Sequence, residues 1–197
     1  VPHNPEHDVA AVARRGSDLL AASGHGPDPL AALTVARPHL LAGGRLLLYA
    51  LRDRDPELAG DAARALTGRG PGLTPDGDDL LAASAAATRA FGAATAYPDA
   101  GAEALRSALV LDDLGERTGA LSASLLRLAV DGRVIDPVRA LLDLSAGAAT
   151  WTGALARLER IGHGTGGTYA LGCALTALAL SAGDQPSSMN PRREEKS

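Results

Sequence analysis

The chain has 197 residues, a net charge of −4 and one cysteine, and 46% of its residues are hydrophobic. This length suits a single domain with a substantial core. The acidic balance offers no basic surface for nucleic acid, Cys173 has no partner for an internal disulfide, and no apolar run reaches membrane-spanning length. With no signal peptide visible, we expect a cytoplasmic protein without nucleic-acid or membrane partners. A start at Val1 rather than methionine is compatible with a missing N-terminal portion.

The hydrophobic residues are mainly alanine and leucine, with one Trp, one Phe and three Tyr. Because β-branched and aromatic residues are scarce, the composition favours closely packed helices over sheets. We predict one mainly helical domain, a helical bundle, over residues 1–182. The polar, charged segment 183–197 is predicted to be disordered.

The first third of the chain is predicted to be helical throughout. The leucine-rich run Leu46–Leu51 fits a buried strand or a helix, and leucine favours the helix. Asp55-Pro56-Glu57 is typical of a helix start, with a cap, a proline and an acidic first turn. The predicted helices span residues 1–24, 28–37, 38–52 and 55–66.

A glycine-rich segment, Gly68–Leu81, follows with the sequence GRGPGLTPDGDDLL. Thr74 is predicted to cap a helix with Pro75 in the first helical position, and the helix extends over 77–94. Asp78 and Asp79 then fall in its first turn, where they can act as a general base or hold a divalent cation such as Mg²⁺. Adjacent helical side chains diverge by about 100°, so only one points into a site, and we favour Asp78. Acidic first turns and Gly/Pro clusters also occur for structural reasons alone.

The middle of the chain is predicted to form helices over 98–111, 115–130, 136–147 and 150–160. Thr118 and Ser122 lie four residues apart and are predicted to share one face of the second of these helices. Hydroxyls inside helices usually bond to their own backbone. These two become functional candidates only if their face meets the glycine-rich segment.

A second glycine-rich segment, Ile161–Tyr169, has the sequence IGHGTGGTY and precedes an apolar helix that extends to Leu180. Glycines and threonines at a helix start can form a nest of N–H groups for phosphate or carboxylate. His163 can add a proton donor or a positive charge. A glycine-rich helix cap with a surface histidine is the structural alternative.

We predict that the two glycine-rich segments converge at helix N-termini and form one site for a small anion such as phosphate, carbamoyl phosphate or a carboxylate. Asp78, Asp79 and His163 are the catalytic candidates. Arg69 is a candidate clamp for a carboxylate, or a solvated loop residue. The remaining binding candidates are Gly70, Gly72, Thr74, Gly77, Thr118, Ser122, Gly164, Thr165 and Gly166.

Together these segments resemble a bacterial family that includes AllH, a subunit associated with oxamate carbamoyltransferase in ureide (allantoin) breakdown. The similarity covers about residues 60–180 and rests on the pattern G-x-G-P-G-L-T-P-x-G-D-D at Gly68–Asp79, the Thr118/Ser122 segment, and Gly162–Gly166. It implies a protein that helps to interconvert oxalurate plus phosphate with oxamate plus carbamoyl phosphate, with partner subunits resembling acyl-CoA synthetases.

The chain departs from the family pattern at three positions. The family often has a small residue in place of Asp76, a serine in place of Gly164, and an acidic residue near Thr168. These changes add one carboxylate to the first segment and remove one from the second.

Two other functions fit the sequence. A Mg²⁺-dependent all-α hydrolase would need a second acidic cluster, for which Asp112-Asp113 is the candidate. A non-catalytic ligand-binding or scaffolding subunit would instead expose an apolar patch larger than is usual for a monomer.

Overall fold

A computed structural model of the protein describes residues 9–95, 100–109, 114–162 and 164–182. Over these ranges the chain forms eleven α-helices and no strand, which confirms the predicted mainly α fold class. None of the described helices is long and apolar enough to cross a membrane. The predicted disordered tail lies outside the described residues.

We number the helices α1 to α11 in chain order. The leucine-rich run Leu46–Leu51 is helical, as predicted, and the Asp55 side chain caps the next helix by accepting the N–H groups of Glu57 and Leu58 at 3.0 Å each. Short 3-10 turns occupy Pro38–Leu40 and Ala93–Thr95. The helices are Val9–Ala22, Pro29–Ala36, Leu41–Asp53, Pro56–Leu66, Asp76–Gly92, Ala100–Leu109, Leu114–Arg117, Ala120–Val130, Asp136–Leu142, Ala148–Leu158 and Thr165–Ser181.

Helices α5 and α11 form the centre of the fold and pack against each other. Both are buried on nearly every side, since α1 and α3 cover α11 while α8 covers α5. Small side chains make this close packing possible, because alanines and glycines let two helix backbones approach. At Gly172 of α11, even a methyl group would press on Ala83 and on the carbonyl oxygen of Leu80.

The structure corrects two predicted helix boundaries. The predicted helix 115–130 is divided into α7 and α8, because Gly119 between them has an extended backbone with φ −66° and ψ 154°. Thr118 therefore precedes α8 and does not share a helical face with Ser122. Helix α5 begins at Asp76, so Pro75 stands just before the helix rather than in its first position.

Candidate functional site

The first glycine-rich segment connects α4 to α5 by a short chain of backbone hydrogen bonds. The N–H of Arg69 donates to the carbonyl of Leu66, the last residue of α4, at 2.9 Å. The carbonyl of Arg69 in turn accepts the N–H of Gly77, the second residue of α5, at 2.8 Å. The start of α5 is thereby fixed against the end of α4.

The second glycine-rich segment connects α10 to α11 in the same way. The N–H of Ile161 donates to the carbonyl of Leu158, the last residue of α10, at 2.9 Å. The carbonyl of Ile161 accepts the N–H of Gly166, the second residue of α11, at 3.3 Å. The two segments differ in length and sequence but share one local structure.

Glycine is required at both second helical positions by close approach of backbone. A Cβ atom on Gly77 would collide with the carbonyl oxygen of Leu66, and one on Gly166 would collide with that of Leu158. Their N–H groups already donate to loop carbonyls. These two glycines therefore position the helices, and their N–H groups are engaged in hydrogen bonds within the segments.

The first turns of α5 and α11 contact each other reciprocally. Thr165, the first residue of α11, hydrogen-bonds through its hydroxyl to Asp79, the fourth residue of α5. Thr168, the fourth residue of α11, has its hydroxyl 3.4 Å from Oδ1 of Asp76, the first residue of α5. The two helix N-termini therefore meet, as the predicted convergence requires.

Asp78 holds the glycine-rich loop to the start of α8. It is 2% exposed, its Oδ1 accepts the N–H of Gly68 at 2.8 Å, and its Oδ2 accepts the hydroxyl of Thr118. Nearby, the hydroxyl of Ser122 donates to the carbonyl of Leu73 at 3.5 Å. The Thr118/Ser122 segment thus does meet the first glycine-rich segment. Both carboxylate oxygens of Asp78 accept hydrogen bonds in this attachment. Which of Asp78 and Asp79 points into a substrate site stays a prediction.

Asp79 faces the second glycine-rich segment and is 2% exposed. Its Oδ2 has no hydrogen-bond partner among the described residues. Burial raises the pKa of Asp79 to about 7, and the neighbouring carboxylates of Asp76 and Asp78 act in the same direction. Hydrogen bonds from Thr165 and Thr74 act in the opposite direction by favouring the ionised form. A buried carboxyl group that titrates near neutral pH is characteristic of a functional site.

Arg37 and His39 form a basic pair beside Asp76 that sequence reasoning missed. The Nε of Arg37 lies 3.4 Å from Oδ1 of Asp76, and Nε2 of His39 lies 3.1 Å from Oδ2. Arg37 also donates to the hydroxyl of Thr168 at 2.9 Å and to the carbonyl of Gly164 at 2.8 Å. These residues follow α2 without any motif, so no signal in the sequence links them to the two glycine-rich segments.

The remaining candidates lie around this junction. Arg69, Gly70 and Gly72 are exposed on the loop before α5, and Arg69 takes part in the segment through its backbone. Tyr169 of α11 is half-buried, and its pKa is raised by burial and by the charge of Asp79, which places it in the same environment. His163 lies outside the described residues.

No group of three or more His, Cys, Asp or Glu side chains in the described ranges is arranged to hold a metal ion. Asp112-Asp113, the candidate second acidic cluster, lies outside those ranges. Asp78 and Asp79 diverge, as expected for neighbours on a helix, with Asp78 held by Gly68 and Thr118.

Fold and site together define a class of protein. It is mainly α-helical, with two structurally equivalent glycine-rich segments that bring the N-termini of its two central helices around a buried carboxyl group.

The chain belongs to the AllH family, described as oxamate carbamoyltransferase subunit AllH. The family profile matches residues 66–177, more than half of the chain, and this range includes both glycine-rich segments and α5 in full. The predicted family resemblance is thereby confirmed. No curated protein and no solved structure matched the chain.

Two of the departures from the family pattern meet in the structure. Asp76 has a carboxylate where the resemblance implies a small residue, and Thr168 has a hydroxyl near where it implies an acidic one. These two side chains lie 3.4 Å apart at the junction of α5 and α11.

Proposed function

We propose that this chain is the substrate-binding subunit of an oxamate carbamoyltransferase and that its substrate site is the junction of α5 and α11. The observation that carries the proposal is Asp79, a buried carboxyl group where the two helices begin, one of whose oxygens has no hydrogen-bond partner among the described residues. The family description provides the reaction class, and the matched range 66–177 spans the junction. Positive ends of two helix dipoles favour an anionic substrate there.

The reaction joins the amide nitrogen of oxamate to the carbonyl carbon of carbamoyl phosphate. The new C–N bond forms, the C–O bond to phosphate breaks, and the nitrogen loses one proton. Asp79 is placed to accept that proton, since a base with a pKa of about 7 suits proton transfer at neutral pH. Our candidate to protonate the leaving phosphate oxygen is His163, three residues before Gly166 in the sequence.

Arg37 and His39 provide the electrostatic counterpart of this site. They lie 3.4 and 3.1 Å from the Asp76 carboxylate, so the Arg37 guanidinium offsets its charge and the His39 ring can donate a hydrogen bond to it. Without that pair, three carboxylates in one helical turn would repel an anionic substrate. The arrangement supports binding of oxamate and carbamoyl phosphate near Asp79.

The exposed apolar residues beside the junction support a role as a subunit. Leu73 is 85% exposed on the glycine-rich loop, and Leu121 is 54% exposed at the start of α8. The two belong to segments joined through the Ser122 hydroxyl and the Leu73 carbonyl. We propose that partner subunits, of the acyl-CoA-synthetase-like kind that the family implies, dock in the cytoplasm against this edge.

Isothermal titration calorimetry of the full chain with oxamate and with carbamoyl phosphate, each with and without Mg²⁺, tests the proposal. We expect both ligands to bind, and Thr165→Val to weaken binding about tenfold by removing the hydroxyl that bonds to Asp79. Thr152→Val is the matched control, since the Thr152 hydroxyl bonds only to backbone carbonyls of its own helix and is exposed. No binding of either ligand, or equal loss in both variants, would contradict the proposed site.

A further inference from the structure

The polar side chains at the junction of α5 and α11 differ in whether they have an unused hydrogen-bonding atom. Both carboxylate oxygens of Asp78 accept hydrogen bonds, from Gly68 and Thr118. Both oxygens of Asp76 face the basic pair Arg37 and His39. In the described part of the chain, Oδ2 of Asp79 is the buried carboxylate oxygen without a partner.

A buried oxygen that accepts no hydrogen bond lowers the stability of the folded protein, because it has lost its water without gaining a partner. A ligand that donates a hydrogen bond to it removes this penalty. Native proteins pair most buried polar atoms, and an unpaired one commonly marks a functional role. The hydroxyls of Thr165 and Thr74 hydrogen-bond to the Asp79 carboxylate and favour its ionised form. An atom of this kind selects for a donor on the ligand, because an analogue without the donor leaves it unpaired.

The proposed reactants share such a donor. Oxamate and the carbamoyl group each carry an amide –NH₂, while oxalate and acetyl phosphate are analogues of the same shape without it. An N–H group can donate to Oδ2 of Asp79, whereas a carboxylate oxygen in the same place would be repelled by it.

We propose that Asp79 is the specificity-determining residue of this site and that its Oδ2 accepts an amide N–H of the substrate. The inference rests on the proposed function and assigns to Asp79 the recognition of the carboxamide or carbamoyl group. Asp78 is then a positioning residue, which fixes the glycine-rich loop through Gly68 and Thr118.

Pairs of ligands that differ in the amide group test this assignment on the full chain at pH 8, above the pKa of Asp79. Calorimetry compares oxamate with oxalate, and carbamoyl phosphate with acetyl phosphate. We expect the amide-bearing member of each pair to bind at least about tenfold more tightly. Asp79→Leu, which keeps the volume and removes both oxygens, should abolish the preference, and Asp79→Ala should do the same. Asp136→Leu, in the exposed first turn of α9, is the control and should leave the preference unchanged.

The outcomes separate this inference from the proposed function. If all four ligands bind but the members of each pair bind equally, Asp79 does not select the amide, while the site itself stands. A preference that persists in Asp79→Leu also overturns the inference. If none of the ligands binds to the wild-type chain, the proposed function fails and the inference fails with it.

Discussion

Asp78 and Asp79 are adjacent carboxylates that the fold places in different environments. Asp78 accepts the Gly68 N–H and the Thr118 hydroxyl, which is a structural role. Asp79 turns toward α11, and its Oδ2, which has no hydrogen-bond partner in the part of the chain that the structure describes, is buried. The two residues separate because side chains one position apart on a helix point about 100° from each other.

Ionisation of the buried Asp79 carboxyl group should lower the free energy of unfolding at neutral and higher pH, relative to acidic pH. The pKa of about 7 in the folded state lies above the value of about 4 expected for an unfolded chain. The folded protein therefore binds this proton more tightly than the unfolded chain does. Stability from this group is fully present below about pH 4 and is lost as the pH rises through 7.

Asp79→Asn removes the ionisation and should raise stability. At pH 8 we expect a free energy of unfolding higher by roughly 2–4 kcal/mol, and the gain should shrink toward zero near pH 4. Urea unfolding at several pH values measures it. Asp136→Asn, at a position 84% exposed, is the control and should change stability by less than about 0.5 kcal/mol at any pH. A variant that is less stable than the wild type at pH 8 would show that the folded protein favours the ionised form.

At the scale of single residues, the sequence predicted the acidic pair Asp78 and Asp79 but not the side chains that surround them. Two neighbouring carboxylates after a Gly/Pro-rich loop are a visible pattern, so Asp78 and Asp79 could be predicted. Which of them points inward depends on tertiary contacts with Thr118 and Thr165, which a linear pattern does not contain. Arg37 lies 127 residues from Gly164 in the chain, and only folding brings them together.

At the scale of elements, the two central helices start in the same way. In each, the second helical residue is a glycine packed on the last carbonyl of the preceding helix, Leu66 for Gly77 and Leu158 for Gly166. The sequence shows no repeat, since the two segments share neither length nor residue order. The equivalence lies in backbone geometry, and it explains why the second residue of each helix is a glycine.

Gly166→Ala tests this packing. Its Cβ would meet the carbonyl of Leu158, which is backbone and cannot rotate away, so we expect a loss of at least about 2 kcal/mol of stability. The adjacent Gly167→Ala meets nothing within 4 Å and should be neutral or stabilising by up to about 1 kcal/mol. Urea unfolding of both variants provides the comparison. Equal effects of the two substitutions would mean that the end of α10 and the start of α11 do not pack as described.

Helix positions were largely predictable, and their ends were less so. Caps such as Asp55 act locally and can be recognised from three residues. The break between α7 and α8 was missed because Gly119 resembles an ordinary helical glycine in an apolar run, and its extended conformation brings Thr118 to Asp78.

At the scale of the molecule, a mainly α fold followed directly from an Ala- and Leu-rich composition. The convergence of the two glycine-rich segments results from the packing of α5 on α11 and supports a single site shared by both. We propose that the substrate binds at this shared site, since the family is described as an oxamate carbamoyltransferase subunit and its profile spans the junction.

Hydrogen–deuterium exchange of the full chain with and without oxamate tests the claim most directly, since it locates a ligand without altering any residue. We expect slower exchange in both 68–80 and 159–168 at once. Exchange in 127–139, where Gly132 lies beside Arg89 near the C-terminal end of α5, should be unchanged. Protection in one segment alone, or in neither while another region is protected, would contradict a site shared by α5 and α11.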